Sequence, residues 1–261
     1  MKLHRIARYC LMVGAFLATH AAGPSLCGAQ EASDPDDPVT QLWANLILDS
    51  PRENYLLELD VEPKLQIRGE PKWWSIGATP LVEYYPNRWL DLTGEMAVTY
   101  TNQNDNVRSV EVTPRAGIRL HILSNFREEI DPEVHPPRKL AIANLSRIEY
   151  RNFWYSGGDL DYDSSWRFRN RIELKLGLNR SDFNTDGAWY LKADFEAFVN
   201  IRDEIQERFA TRIRTRAGVG YRFAYKTRLE VLYIRDEDRN TLENGFETSS
   251  NILDVRLKKF F

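Results

Sequence analysis

Several long segments of the chain alternate apolar and polar residues with a period of two. Between residues 55 and 67 every odd position is apolar or proline, and most even positions carry a charge. Between residues 166 and 178 the phase is reversed, and all odd positions from 167 to 175 are charged. Because side chains alternate between the two faces of a β-strand, each segment predicts a strand with one apolar and one charged face.

The alternating segments are about 12–16 residues long, whereas strands of soluble proteins are most often about five or six residues long. Ten strong segments follow residue 54, and a possible eleventh lies at 40–48 around Trp43. Closed up-and-down barrels usually have an even number of strands, so ten strands are predicted, with twelve as the alternative. One short helix is predicted from Ser124 to Glu133, on the periplasmic side. The predicted fold is an all-β, single-domain antiparallel barrel.

The lengths and faces of these strands favour a transmembrane barrel over a soluble one. A tilted strand needs about 9–11 residues to cross the hydrocarbon core of a membrane. The mean hydropathy of the chain is −0.50. No run of 18 apolar residues follows the N-terminus, so a bundle of membrane-spanning helices is excluded. A soluble periplasmic β-barrel is the alternative. Aromatic residues would form two bands at the membrane surfaces, with Trp74, Tyr100, Trp154, Trp166 and Phe168 at one end and Tyr84, Trp189, Tyr221, Phe223 and Phe261 at the other.

The first 29 residues have the features of an export signal. A basic start precedes an apolar core from Leu11 to Ala18, and small residues come before Gln30. Both cysteines lie in this signal, so the exported chain has no disulfide, thiolate metal site or cysteine nucleophile. We therefore predict a signal peptide at 1–29, a solvated leader at 30–39 and a barrel domain at 40–261, located in the outer membrane.

The charged face of the strands is rich in arginine and would line the lumen. A wet lumen can hold such charges, whereas a packed soluble interior would hold them only at a heavy desolvation cost. One interpretation is a small channel whose lining attracts small anionic solutes. The alternative is a structural or interaction protein whose lumen is occluded by arginine–carboxylate pairs. The predicted lumen-lining residues are Arg115, Arg119, Arg147, Arg151, Arg167, Arg169, Arg171, Arg212, Arg214, Arg216, Glu58, Asp60, Glu62 and Glu173, with Asp91, Glu95, Glu111, Asp194 and Glu196 on the same face.

Catalysis, metal binding and nucleic-acid binding have little support in the sequence. His121 and His135 are the histidines that remain after the signal, so a lipid-acting enzyme with a serine–histidine pair at His121 is a further alternative. The three aspartates of segment 159–163 lack the glycine and glutamate of a calcium loop. In segment 166–172 the arginines and the aromatic residues fall on opposite faces of the predicted strand, and the exported chain is acidic. Both observations argue against nucleic-acid binding. No catalytic residue, metal site or cofactor is predicted, and the expected role is passive.

The chain ends in Phe261, in phase with the apolar face of the last strand. A terminal phenylalanine resembles the assembly signal that the insertion machinery of bacterial outer-membrane barrels recognises, although Lys259 occupies a usually apolar place. This closing strand, the Tyr221, Arg222 and Phe223 run and the arginine-rich segment 166–178 resemble the uncharacterised outer-membrane barrel family known as domain of unknown function 2490. The resemblance covers the mature chain and implies contact with membrane lipid, lipopolysaccharide and the barrel assembly machinery. It implies no activity and no catalytic residues.

Overall fold

The computed structural model describes residues 38–69, 72–103, 107–124, 127, 138–156, 162–201, 211–224, 226–239 and 247–261. This part of the chain forms strands and contains no helix. The strands are β1 (Val39–Pro51), β2 (Tyr55–Arg68), β3 (Trp73–Asn87), β4 (Leu90–Gln103), β5 (Arg108–Leu123), β6 (Leu140–Ser156), β7 (Tyr162–Gly177), β8 (Trp189–Asn200), β9 (Thr211–Phe223), β10 (Thr227–Arg239) and β11 (Glu247–Phe260).

Three predicted segments fall on residues that the structure does not describe. The signal peptide at 1–29 lies outside the described residues, as do most of the leader at 30–39 and most of the helix predicted from Ser124 to Glu133. Where residues are described, no helix is long and apolar enough to span a membrane.

The strands form one closed barrel, which confirms the predicted all-β barrel but not its strand count. Sequential strands pair antiparallel from β1 through to β11, and β1 then pairs with β11 in parallel, from Val39 beside Ser250 to Asp49 beside Phe260. The prediction of ten strands and its alternative of twelve are both wrong, because both assumed the even number that an all-antiparallel ring requires. A parallel closing pair permits an odd number, and the segment around Trp43 supplies the eleventh strand.

Antiparallel alternation places the connections at two ends of the barrel. The turn end carries the connections 52–54, 88–89, 124–139, 178–188 and 224–226, and the loop end carries 69–72, 104–107, 157–161, 201–210 and 240–246. The first residue of β1 lies at the loop end, because β1 runs parallel to β11. The last residue of β11 lies at the turn end.

The two strand faces follow the alternation in the sequence. On β7, Arg169 is 8% exposed while its neighbour Phe168 is 39% exposed. On β10, Leu232 and Ile234 are fully buried, whereas Tyr233 between them is exposed. Leu232 and Ile234 are apolar exceptions on the inner face; elsewhere polar and charged side chains mostly face the lumen, and apolar side chains cover the outside.

Aromatic side chains on the outer surface pair across neighbouring strands at both ends. At the loop end, the ring centroids of Trp74 and Tyr100 lie 5.5 Å apart, and those of Trp154 and Tyr162 lie 5.6 Å apart. At the turn end, the rings of Trp189 and Tyr221 are separated by 4.7 Å. The outer surface thus has an aromatic band at each end, as the sequence predicts.

Candidate functional site

The lumen contains a cavity of about 630 Å³ that is lined by residues of all eleven strands. The structure places each of the fourteen predicted lumen residues on its wall: Arg115, Arg119, Arg147, Arg151, Arg167, Arg169, Arg171, Arg212, Arg214, Arg216, Glu58, Asp60, Glu62 and Glu173. The wall is uneven. On β3 and β4 it consists largely of small residues such as Ser75, Gly77, Thr79, Ala97 and Thr99, whereas long arginines project from β5, β6, β7 and β9.

Two fully buried carboxylates organise the arginines at the middle of the lumen. Glu149 on β6 lies 3.1 Å from Arg115 Nε, 2.6 Å from Arg167 Nη2 and 2.6 Å from Arg169 Nη1. Because the carboxylate is removed from water, these charge-assisted contacts supply the solvation that it loses.

Glu196 on β8 has the same role on the other side of β7. It lies 2.7 Å from Arg169 Nη2 and 3.4 Å from Arg147 Nη2, and it accepts a further hydrogen bond from Arg216. Arg147 also contacts Glu95 on β4 at 2.8 Å. We call this set the arginine belt; it consists of Arg115, Arg147, Arg167, Arg169, Arg216, Glu95, Glu149 and Glu196. The belt links six consecutive strands, β4 to β9, through side chains alone.

The register of the strands explains why these particular charges meet. Glu149 is the direct cross-strand neighbour of Arg115 on β5 and of Arg167 on β7. Residues opposite each other on one face of a sheet bring their side chains within reach. The sequence predicts which face each charge occupies, but the pairing between strands depends on register, which the alternation does not specify.

Two aromatic rings inside the lumen were not among the predicted site residues. Phe198 on β8 is 4% exposed and is contacted by the guanidinium groups of Arg169 at 4.6 Å and Arg167 at 5.1 Å from its centroid. Trp43 on β1 lies under Lys64 Nζ at 4.2 Å and Arg214 at 5.1 Å. Cations over an aromatic face are attracted by its quadrupole. The sequence does contain a signal for Phe198, because it lies in phase with the charged, lumen-facing positions of β8.

A separate acidic strip follows β2 on the wall next to β1. Glu58, Asp60 and Glu62 occupy alternate positions and face the cavity. Lys258 on β11 lies 2.9 Å from Glu58 and 2.8 Å from Asp49 on β1, so it bridges the parallel closing pair to β2. Neither Lys258 nor Asp49 was a predicted site residue.

The β7–β8 connection, residues 178–188, folds into the turn end of the lumen, and we call it the β7–β8 plug. Phe183 is fully buried between Ala141 and Tyr190, and the two ring centroids are 6.5 Å apart. Its backbone N–H donates to the Arg138 carbonyl at 3.2 Å, and Arg228 donates to Asn184. The short helix predicted from Ser124 to Glu133 also belongs to the turn end, but most of it lies outside the described residues. The observed plug was missed, because one phenylalanine in a polar turn gives no periodic signal.

His121 is held in an ion-pair cluster at the turn end. Its Nε2 lies 2.6 Å from Asp91 Oδ2, and both side chains are buried. Arg127 Nε donates to the other Asp91 oxygen at 2.9 Å. Asp91 therefore joins β4 and β5 to the connection that follows β5. The described residues contain no group of three or more histidine, cysteine, aspartate or glutamate side chains arranged to hold a metal ion.

The C-terminal residue is tied to the first strand through its backbone. The Phe261 N–H donates to the Asp49 carbonyl at 2.9 Å, and the Phe261 side chain is half exposed at the turn end. Its ring is thus available on the outside of the barrel next to the closing pair of strands.

Comparison with known proteins agrees with the resemblance seen in the sequence. No curated protein matches the chain. A family model matches residues 40–246, which include all of the barrel except the last strand and the first residue of β1. Because the match covers most of the chain, the protein belongs to the family described as protein of unknown function, DUF2490.

Proposed function

We propose that the protein is a bacterial outer-membrane β-barrel with a passive, non-enzymatic role. The observation that carries the proposal is the apolar outer surface. Large apolar side chains are about half exposed around the barrel, among them Leu65 (50%), Ile118 (47%), Ile172 (50%) and Tyr233 (53%). Monomeric soluble proteins rarely expose contiguous apolar patches larger than a few hundred Å². Lipid would cover this surface.

The distance between the aromatic bands supports the same proposal. On β3, Trp74 and Tyr84 are ten positions apart. At a rise of about 3.3 Å per residue and a tilt of about 45°, ten positions span about 23 Å along the membrane normal. The apolar band of membrane barrels is about 25 Å tall and is bordered by aromatic residues. Closure of the sheet also leaves no unpaired strand edge, which a lipid environment requires.

Within this proposal, a structural role with an occluded lumen is favoured. The arginine belt fixes long side chains across the middle of the barrel, and the β7–β8 plug fills its turn end. The proposed partners are membrane lipid, lipopolysaccharide and, during insertion, the assembly machinery that would read Phe261. A narrow channel is the second candidate, because a cavity of about 630 Å³ remains open between the arginines and the small residues of β3 and β4.

Fractionation and gel mobility test the proposed location. The protein is expected in the outer-membrane fraction, and its unheated form should migrate differently from its boiled form in SDS, since a closed barrel resists the detergent until heated. Recovery in the soluble periplasmic extract without a mobility shift would refute the proposal and favour a soluble β-barrel. Recovery in the inner membrane or cytosol would refute it as well.

Conductance in a planar bilayer separates the two roles. A channel predicts ion currents whose selectivity changes when Arg167, Arg169 and Arg171 are replaced by glutamine, because the lining would lose positive charge. An occluded barrel predicts no current from a sample that shows the mobility shift. If the wild-type protein hydrolysed lipid and His121→Ala did not, the result would instead support the lipid-acting enzyme.

A further inference from the structure

We propose that the lumen cavity is a binding pocket for a small oxyanion, with Arg171 as its main ligand-binding residue. This inference deepens the proposed function. It rests on that function only because the lumen charges keep their places in the folded barrel. The cavity volume lies within the range of about 300–1,000 Å³ found for small-molecule sites.

The charge of the cavity wall is positive. Among the described residues, seventeen basic and eleven acidic side chains line the cavity. The excess persists when the buried carboxylates that do not line it, Asp91, Glu149, Glu196 and Asp254, are included. A cleft whose wall carries an excess of one sign of charge attracts ions of the opposite sign. The pocket therefore attracts anions, although the whole chain has a net charge of −3.

Arg171 differs from the arginines of the belt in how its guanidinium is used. Arg169 shares its nitrogens between two buried carboxylates, Glu149 and Glu196. Arg171 Nη2 contacts Glu173 at 2.8 Å, and Glu173 is itself shared with Arg119 at 3.2 Å. The Nε atom of Arg171 is buried and has no hydrogen-bond partner among the described residues. The Arg171 side chain as a whole lines the cavity and is 14% exposed, so an anion in the cavity can contact it.

The geometry of arginine selects the class of ligand. The planar guanidinium presents parallel N–H donors that match two oxygens of a carboxylate or a phosphate. A compact solute would place its oxyanion against the Arg171 guanidinium at the cavity wall.

Calorimetric titration of the folded barrel in detergent tests the pocket, with inorganic phosphate and citrate as separate probes. We expect saturable binding of at least one probe at one site per chain. Arg171→Gln should weaken it about tenfold or more, since a charge-assisted bond is lost. Arg171→Lys keeps the positive charge but loses the planar guanidinium with its parallel donors, so this variant should bind the probe with intermediate affinity. Arg235→Gln is the matched control; Arg235 is about half exposed and pairs with Glu237 outside the cavity, so its affinity should be unchanged.

The same samples are checked for the SDS mobility shift before titration. If wild-type barrels that show the shift bind neither probe, or if Arg171→Gln binds as tightly as wild type, the pocket is refuted while the proposed membrane barrel stands. If the Arg171→Gln barrel does not fold, the Arg171→Lys variant decides in its place. Absence of the shift in the wild type refutes the membrane proposal, and saturable binding in that sample would still support the pocket.

Discussion

Replacing Glu196 with glutamine tests whether the arginine belt holds the barrel together. Glu196 is fully buried and accepts from Arg147, Arg169 and Arg216, which lie on three different strands. Glutamine has nearly the same size and retains one carbonyl oxygen, so the substitution removes the negative charge with little change in packing.

The expected loss of stability follows from these contacts. Two unit charges about 4 Å apart interact by about 4 kcal/mol at an effective dielectric of about 20, and three such pairs surround Glu196. Most of this attraction is offset by the desolvation of the four groups. Removing one partner of a buried pair costs about 3–5 kcal/mol on balance, because the remaining charges stay buried without compensation. We expect Glu196→Gln to lower the free energy of unfolding by about this amount.

Urea titration of the barrel in lipid vesicles, followed by tryptophan fluorescence, measures the change. The matched control is Glu237→Gln, whose partner Arg235 is about half exposed, at an N–O distance of 2.7 Å. An exposed pair contributes about 0–1 kcal/mol, so the control should unfold close to wild type.

A double-mutant cycle sharpens the test. Adding Arg169→Gln to Glu196→Gln removes one of the uncompensated guanidinium groups, so the double variant should lose less stability than the sum of the single variants. If Glu196→Gln unfolds within about 1 kcal/mol of wild type, or if the two losses add, the belt does not stabilise the barrel through its ion pairs and the reasoning is refuted.

Three further predictions concern the plug, a close contact and the closing pair of strands. Phe183→Ala should remove the ring that fills the β7–β8 plug and raise single-molecule ion current in a planar bilayer above that of wild type; an unchanged current would mean that other groups, such as the arginine belt, close the lumen. Gly218→Ala should reduce the folded yield sharply, because its Cβ would collide with the Val231 carbonyl oxygen, whereas a Cβ at Gly94 meets no atom within 4 Å and Gly94→Ala should fold normally. Lys258→Gln should lower the unfolding midpoint in urea by weakening the link to Asp49, and a midpoint equal to that of wild type would contradict this.

The sequence predicts well which side chains face the lumen and which face outward, because this orientation is a local property of a strand. Alternation alone assigns Arg167, Arg169 and Arg171 to the lumen and Phe168 to the outside, and the structure places them there. Side-chain direction follows from the strand backbone, whatever the neighbouring strand does.

Features that depend on contacts between distant segments could not be predicted in this way. The pairing of Arg147 with Glu95 and Glu196 requires the register of β4, β6 and β8, which no local pattern encodes. The parallel pairing of β1 with β11 likewise depends on how the sheet closes, because the alternation around Trp43 is compatible with either a parallel or an antiparallel neighbour. The burial of Phe183 depends on the space that the inward side chains of β6 and β8 leave.

The parallel closing pair places the first and last strand residues at opposite ends of the barrel, and so on opposite sides of a membrane that the barrel would span. Residue Val39 lies at one mouth and Phe261 at the opposite one, whereas a barrel with an even number of strands returns both to the same side. The native cysteines, at positions 10 and 27, lie in the predicted signal peptide, and with both replaced, single cysteines placed beside Val39 and beside Phe261 give specific labelling sites. A membrane-impermeant thiol reagent added to intact cells would then modify one of these two positions and leave the other protected until the envelope is opened.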